Sequence, residues 1–397
     1  MTRVPALLIA AALAGSMAAH AAAPAAKAAP KVVPPELPAE TLQSGGSLAG
    51  GTRERVYVAD VNIASIVDGR LRIFDARTGR MLGMVNTGYA GNVAFGARGD
   101  EIYVATTYLS RGGRGERTDL VEVWDSETLA FKHEIIIPPK RAQTLNYRGM
   151  VAVSGNGRFL MVQNATPATS ITVVDLQQRK VAGEIPTPGC WSALPAAAHP
   201  ARFSMLCGDG KLATLTLDDD GKVADRQLTD KLFDADTDAW FATAERIGDR
   251  FFFLSFNGLL TELDLSGAVA RVVGAKRLVT DAQAKAGWRP GGYQAMAVHP
   301  DGRRAVVAMH DGGREGSHKN PSKALWTVDL DTGRRLASTP ATGVVSVTFS
   351  RSGQRLQALD AVTSTLVVWD WRDGQPLKKV TAVKPSGVSP VQLESHD

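Results

Sequence analysis

Seven recurrences of one phrase predict an all-β chain folded as a seven-bladed β-propeller. Each is an apolar alternation that ends in Asp and runs into a tight turn. Successive Asp positions lie roughly 40–65 residues apart, the span of one four-stranded blade per repeat. Pairs of short apolar segments joined by a Gly turn precede several of these phrases, supplying the other strands of the unit.

The first phrase, LRIFD (Leu71 to Asp75), has only Arg55 to Ala59 as a clear strand before it, and the partner expected ahead of that strand is weak or missing. The second, VEVWD (Val121 to Asp125), follows the hairpin NVAFGARGDEIYVAT from Asn92. The third, TVVDL around Asp175, follows VAVSGNGRFLMVQ from Val151. TLTLD (Thr214 to Asp218) and TELDL around Asp264 are the fourth and fifth. WTVDL around Asp329 follows AVHPDGRRAVVAM from Ala297, and VVWD (Val367 to Asp370) follows SVTFSRSGQRLQAL from Ser346. Alternate residues of a strand point to opposite sides, so segments apolar on both sides need a sheet against each face, which a propeller supplies. The last repeat carries a spare extended stretch, Pro390 to Ser395. It is expected to pair into the first blade and close the ring, removing two exposed sheet edges. The repeated Asp is expected to cap the turn that follows it with its side chain.

A chain of 397 residues fits one propeller domain from 41 to 397, because every blade adds its own packed layer. Residues 1–21 read as a signal peptide: Arg3, an apolar stretch from Val4 to Ala14 too short to span a bilayer, and a small-x-small site at Ala19-His20-Ala21. Residues 22–40, rich in Ala, Pro and Lys, lack the apolar surface to order themselves and read as a flexible leader. Export would place the protein in the periplasm. There the two cysteines, Cys190 and Cys207, flanking the opening strand of the fourth blade, are expected to form a disulfide. No CxxC motif suggests redox chemistry.

The formal charge is +5, or +4 once Arg3 leaves with the signal, and no basic run is interleaved with aromatics. Nucleic acid is therefore not an expected partner, nor is a membrane. The seven histidines show no HxH or HExxH spacing, so no metal site is expected. No GxSxG elbow, P-loop or strand-to-helix GxGxxG is present. The sequence nominates no catalytic and no cofactor-binding residue in this chain.

Loop length is more informative. In a propeller the loops between strands two and three, and those between blades, emerge on one face. The segments 61–69, 108–118, 138–147, 187–196, 229–241, 274–293 and 311–323 all fall there, while the other face is trimmed to turns such as DARTGR and SGNGR. Elaboration on one side predicts a docking surface. Its candidate contacts are Tyr108, Arg117, Trp240, Phe241, Trp288, Arg289, Tyr293 and His318, with Arg111, Arg114 and Arg314 beside them. Aromatic and Arg side chains are the types enriched in interface hot spots. DAQAKAG (Asp281 to Gly287) is expected to form a short helix.

Those loops carry a resemblance. RGERTDLVEVWD (Arg114 to Asp125), PPKR (Pro138 to Arg141), QNATPATS (Gln163 to Ser170), GCW (Gly189 to Trp191), CGDG (Cys207 to Gly210), WRPGGY (Trp288 to Tyr293) and DGGREGSHK (Asp311 to Lys319) closely resemble the heavy chain of quinoprotein amine dehydrogenases, from about Leu42 to Ser395. VEVWD, IPPKR, QNATPATS, GCWS and GREGSHK look more like the aromatic (aralkyl) amine type than the methylamine type. The resemblance implies a periplasmic, non-catalytic heavy subunit. It would pair, two heavy with two light, with a small cysteine-rich light chain carrying tryptophan tryptophylquinone. The assembly would convert a primary amine to an aldehyde and ammonia and pass electrons to a cupredoxin such as azurin or amicyanin. The resemblance also implies the Cys190–Cys207 disulfide. Where the methylamine type has a channel-lining aromatic in the loop after its first strand, the matching stretch here is Val61 to Ile66, with Ile63 nearest by count. A binding or scaffolding propeller with no role in amine oxidation is the alternative of a different class. It gives no reason for the WRPGGY and RGERTD loops.

Overall fold

The computed structural model describes Leu48 and residues 54–143 and 146–396. The expected signal peptide and leader lie outside the described residues. The described residues form seven antiparallel sheets arranged as a ring, each built around four strands. Blade 1 consists of Pro390–His396, Arg55–Asp60, Gly69–Asp75 and Met81–Gly88, in that order from the axis outwards. Blades 2, 3 and 4 open on the inner strands Asn92–Phe95, Val151–Val153 and Cys190–Pro195. Blades 5, 6 and 7 open on Glu245–Ile247, Met296–Val298 and Val344–Phe349. The C-terminal strand therefore supplies the missing inner strand of blade 1, in antiparallel register from Arg55↔His396 to Ala59↔Gln392. As expected, the last segment of the chain closes the ring.

The period-2 alternation is what makes the ring. Val56 and Val58 pack towards blade 7 with Val345, Leu359 and Leu393, while Tyr57 and Ala59 on the same strand pack towards blade 2 with Val93, Ile102 and Val104. Blade 5 repeats the division: Phe251 and Phe253 face blade 4, Phe252 and Leu254 face blade 6. Each blade interface thus has its own apolar layer, and each large side chain withdrawn from water there contributes about 1.5–3 kcal/mol.

The Asp phrases sit at the ends of third strands and cap their turns. Asp75 Oδ1 accepts from the N–H groups of Arg77 (2.9 Å) and Thr78 (2.7 Å), and Asp329 Oδ1 accepts from Thr332 N–H (2.8 Å). The turns then need a left-handed residue, met by Gly79 at φ 73° and Gly333 at φ 71°. In blade 2 Leu129 takes that place at φ 55°. Asp370 differs: its carboxylate pairs with Arg355.

One boundary read from the sequence changes. The stretch 187–196 is mostly not a loop, because Cys190–Pro195 is the inner strand of blade 4. The cysteines accordingly stand opposite each other in paired strands, Cys190↔Cys207, joined as a disulfide with Cα atoms 3.9 Å apart. Replacing both with Ala is expected to lower the unfolding free energy by about 3 kcal/mol on the chain-entropy view of the 17-residue loop. Comparing urea denaturation of the oxidised protein and the double variant checks it.

Candidate docking face and axial channel

The long loops do emerge together on one face. Between the second and third strands of blade 1 a 3-10 turn, Ile63–Ser65, follows Asn62 in the left-handed region. Ile63 N–H donates to Ser389 Oγ (3.2 Å), so this loop lies against the segment leading into the closing strand. Asp60 makes the joint. Its buried carboxylate accepts from Asn62 N–H (3.0 Å), Val388 N–H (2.8 Å), Ser389 N–H (2.7 Å) and the Arg72 guanidinium. Burial pushes this carboxyl up, but the backbone donors and Arg72 outweigh it and hold it below the usual range. On top of the joint Ile63 is 58% exposed, with Val67, Val388 and Val362 also exposed. These are apolar side chains carried by neighbouring loops of blades 1 and 7.

Blade 2 presents a second anchored loop. Arg117 does not reach outwards: its Nε and Nη2 donate to Asp119 Oδ1 (2.8 Å) and Oδ2 (2.6 Å). Asp119 also accepts from Thr107 Oγ1 (2.7 Å) and Arg141 N–H (3.1 Å). Arg141 is 2% exposed and donates to the carbonyls of Tyr89 (2.7 Å), Ala90 (2.8 Å) and Ala142 (3.1 Å) and to Thr107 Oγ1 (2.9 Å). Burial pulls its guanidinium down to about 10, with Asp119 opposing that shift. The PPKR motif is thus a brace that ties the loop between blades 2 and 3 to the segment around Ala90. Tyr108 is exposed on the same face. Its hydroxyl donates to Glu122 (2.7 Å), a buried carboxyl raised by desolvation that also accepts from Trp124 Nε1 (3.0 Å).

Trp240 stands elsewhere. It is 8% exposed, stacked between Phe233 and Phe253 with ring centroids 4.5 and 4.8 Å away, and belongs to the layer between blades 4 and 5. An indole in this position packs the core and is not displayed for docking. Trp288 is half-buried against Trp326 (5.2 Å). The short helix appears at Asp281–Lys285, closed by a capping box in which Thr280 and Gln283 exchange side-chain bonds. Arg289 Nη1 donates to the Ala284 carbonyl (3.3 Å) at the end of that helix, and to the Trp288 carbonyl (2.8 Å). Tyr293 is half-buried, near Tyr147 and under Lys319, whose Nζ lies 5.6 Å from its ring. His318 is exposed on the turn Ser317–Lys319, and its carbonyl accepts from Gly292 N–H (2.9 Å). WRPGGY and DGGREGSHK therefore form one surface, with Arg111, Arg114 and Arg314 exposed on loops of the same face.

The axis holds a cluster that the sequence does not announce. A cavity of about 790 Å³ runs along the inner strands towards the short-turn face. Within it Arg148 donates to Glu394 Oε1 (2.7 Å), to Glu245, to Thr348 Oγ1 (3.3 Å) and to the Leu393 carbonyl (3.1 Å). Glu245 also accepts from Val298 N–H (3.3 Å). One guanidinium so links blades 1, 3, 5 and 7, with blade 6 joined through Glu245. Desolvation pulls Arg148 down, yet the two carboxylates more than offset this and leave it raised. Desolvation pushes Glu245 up to about 7, with Arg148 opposing the shift and Glu394 adding to it.

A family profile described as methylamine dehydrogenase heavy chain matches residues 52–391. The chain is 28% identical over 349 residues to a methylamine dehydrogenase heavy chain of Methylorubrum extorquens, covering 86% of this chain and 83% of the relative. It is 29% identical over 351 residues to that of Paracoccus versutus, covering 86% and 79%. Among solved structures it resembles a periplasmic gluconolactonase of Pseudomonas aeruginosa, with TM-score 0.60 and 14% identity over 87% of this chain and 99% of that one. A putative 6-phosphogluconolactonase of Bacteroides uniformis gives TM-score 0.61 and 12% identity, over 87% and 100%. At such identities these two share only the propeller fold.

Proposed function

The chain belongs to the methylamine dehydrogenase heavy-chain family, and from that premise we propose that it is the exported, cofactor-free subunit of an amine dehydrogenase that prefers aromatic or aralkyl amines. The light chain docks on the long-loop face, and two copies of each chain assemble. Tryptophan tryptophylquinone resides on that light chain and supplies the two-electron oxidation of the amine; a cupredoxin such as azurin or amicyanin takes the electrons. This chain's residues position and enclose. Arg141 and Asp119 hold the blade 2 loops, Asp60 holds the blade 1 loop against Ser389, and the apolar side chains above that joint exclude water from what approaches them.

The observation that carries the substrate preference is Ile63. It is an exposed aliphatic side chain on a turn anchored by Asp60 and Ser389, where the methylamine type carries an aromatic. A β-branched residue leaves more room at a channel mouth than a phenyl ring does. Ile63→Phe is therefore expected to lower kcat/KM for tyramine about tenfold and to leave methylamine within about threefold, since filling a pocket by a few carbons discriminates by one to two orders of magnitude. Steady-state kinetics of the complex co-purified on a tag carried by this chain would read it. Equal effects on both amines would remove Ile63 from the substrate path. A propeller that purifies alone, without a small subunit whose visible band bleaches on adding amine, would defeat the docking proposal itself.

A further inference from the structure

His310 ends the second strand of blade 6, Arg304–His310, where the loops WRPGGY and DGGREGSHK come together. The residue is 4% exposed, and a glycine of each loop lies against its ring. A Cβ built on Gly291 would stand 2.6 Å from His310 Cδ2 and 3.0 Å from Nε2, so the WRPGGY backbone passes the ring with no room for a side chain. From the other loop Gly312 N–H donates to His310 Nδ1 (3.2 Å). The same segments are laced by Gly292 N–H to the His318 carbonyl (2.9 Å) and Gly313 N–H to the Gly287 carbonyl (2.8 Å). Because Nδ1 accepts, the neutral ring is assigned its proton on Nε2, a buried atom with no partner at hydrogen-bond distance. A second proton would go onto Nδ1, where it faces the Gly312 N–H, donor against donor. Burial holds the ring below its ordinary value. The backbone of Ser317 and Pro290 and the carboxylate of Asp311, itself paired with Lys323, favour the charged ring, Arg289 opposes it, and burial prevails.

We propose that His310 is a pH-sensitive latch for the long-loop face: the neutral ring closes WRPGGY and DGGREGSHK into one surface, the imidazolium releases them, and the light chain is held near neutrality and let go in mild acid. The use assigned to the latch rests on the docking reading above, while the latch itself belongs to this chain alone. Its sign follows from the lowered value. The closed state's contribution is full above the usual 6.5 and is lost as pH falls through the lowered value, because the open loops take up a proton that the closed ones exclude. Glu245 also titrates near neutrality, but it lies on the axis and acts in the opposite sense.

Amide hydrogen exchange of the purified chain, corrected for the intrinsic rate, tests this. One proton per opening changes the rate by at most about tenfold per pH unit. Residues 287–293 and 311–320 should therefore exchange several-fold faster at pH 5.5 than at pH 7.5. In His310→Gln, whose amide oxygen can still accept from Gly312 N–H without a titrating ring, the loops should stay closed at both. His318→Gln, on the same surface, should keep the wild-type response. In the complex, the ratio of small to large subunit should fall at pH 5.5 in the wild type and hold in His310→Gln. Exchange independent of pH in the wild type, an undiminished response in His310→Gln, or full retention of the small subunit while the loops open would overturn the proposal. Should His310→Gln fold poorly, NMR titration of histidine-labelled wild type decides: loop opening must follow the His310 ring with a midpoint below the usual 6.5, and a midpoint at or above it overturns the latch. A wild-type chain without a small subunit at every pH defeats the docking reading, and exchange then still judges the latch.

Discussion

Replacing Arg148 with Met is expected to lower the unfolding free energy by about 3 kcal/mol at pH 8, and by clearly less at pH 5.5. Removing one member of a buried ionic cluster leaves the others uncompensated, and here two carboxylates facing the axis would lose their shared cation. The pH dependence follows from Glu245. Its folded value, pushed up to about 7, lies above the usual 4.5. Between those values the folded protein binds a proton that the unfolded chain releases. This group's stabilising contribution is therefore full below about 4.5 and is lost as pH rises through about 7. At pH 5.5 Glu245 is largely neutral and needs its cation less; at pH 8 it is ionised and needs it most. Carboxylates with lowered values, such as Asp60 and Asp329, act in the opposite sense and in a more acidic window. Urea denaturation of the wild type, Arg148→Met and Glu245→Gln at the two pH values separates these contributions. A loss under about 1 kcal/mol at pH 8, or one independent of pH, would mean that channel water already solvates the carboxylates.

Arg141→Met is expected to cost about as much, roughly 3–5 kcal/mol, and to abolish co-purification of the light chain. The side chain is wholly buried and satisfies three backbone carbonyls besides Thr107. A thioether of similar length fills the volume but donates nothing, so those carbonyls are stranded and Asp119 loses the neighbouring positive charge. The loops released, around Ala90 and before Arg148, belong to the proposed docking face. Lys in place of Arg should rescue only part of the effect, because one ammonium cannot match a planar fork that donates in several directions. The readout is paired: far-UV thermal unfolding for stability, and the ratio of small to large subunit after affinity purification for docking. A variant that is destabilised yet retains full light-chain stoichiometry would confine Arg141 to folding.

The contrast between Trp240 and Ile63 shows where sequence reading stops. Both stand in segments that belong to the long-loop face, and a loop aromatic is a reasonable hot-spot candidate. Yet Trp240 finds Phe233 and Phe253 and joins a blade interface, because a large ring buried between sheets is more favourable than one left in water. Nothing in its local context distinguishes it from Trp288, which remains half-buried. Arg117 is similar: its neighbour Asp119 is visible in the sequence, but the burial that makes them a brace is not. Ile63 is displayed because Asp60 collects backbone donors from a segment more than three hundred residues away.

The local pattern determined the blades, their number, the Asp-capped turns, the closing strand and the disulfide partners. These depend on alternation, turn chemistry and spacing, which act over a few residues or recur at a fixed period. The tertiary structure alone decided that Arg148, Glu245 and Glu394 meet on the axis, that Arg141 serves three backbone carbonyls and Thr107, and that Trp240 is core. The physical reason is ring closure. It brings the inner strands of distant blades onto one axis, and a residue's neighbours across that axis are set by the geometry of the whole circle, which no short stretch of chain encodes.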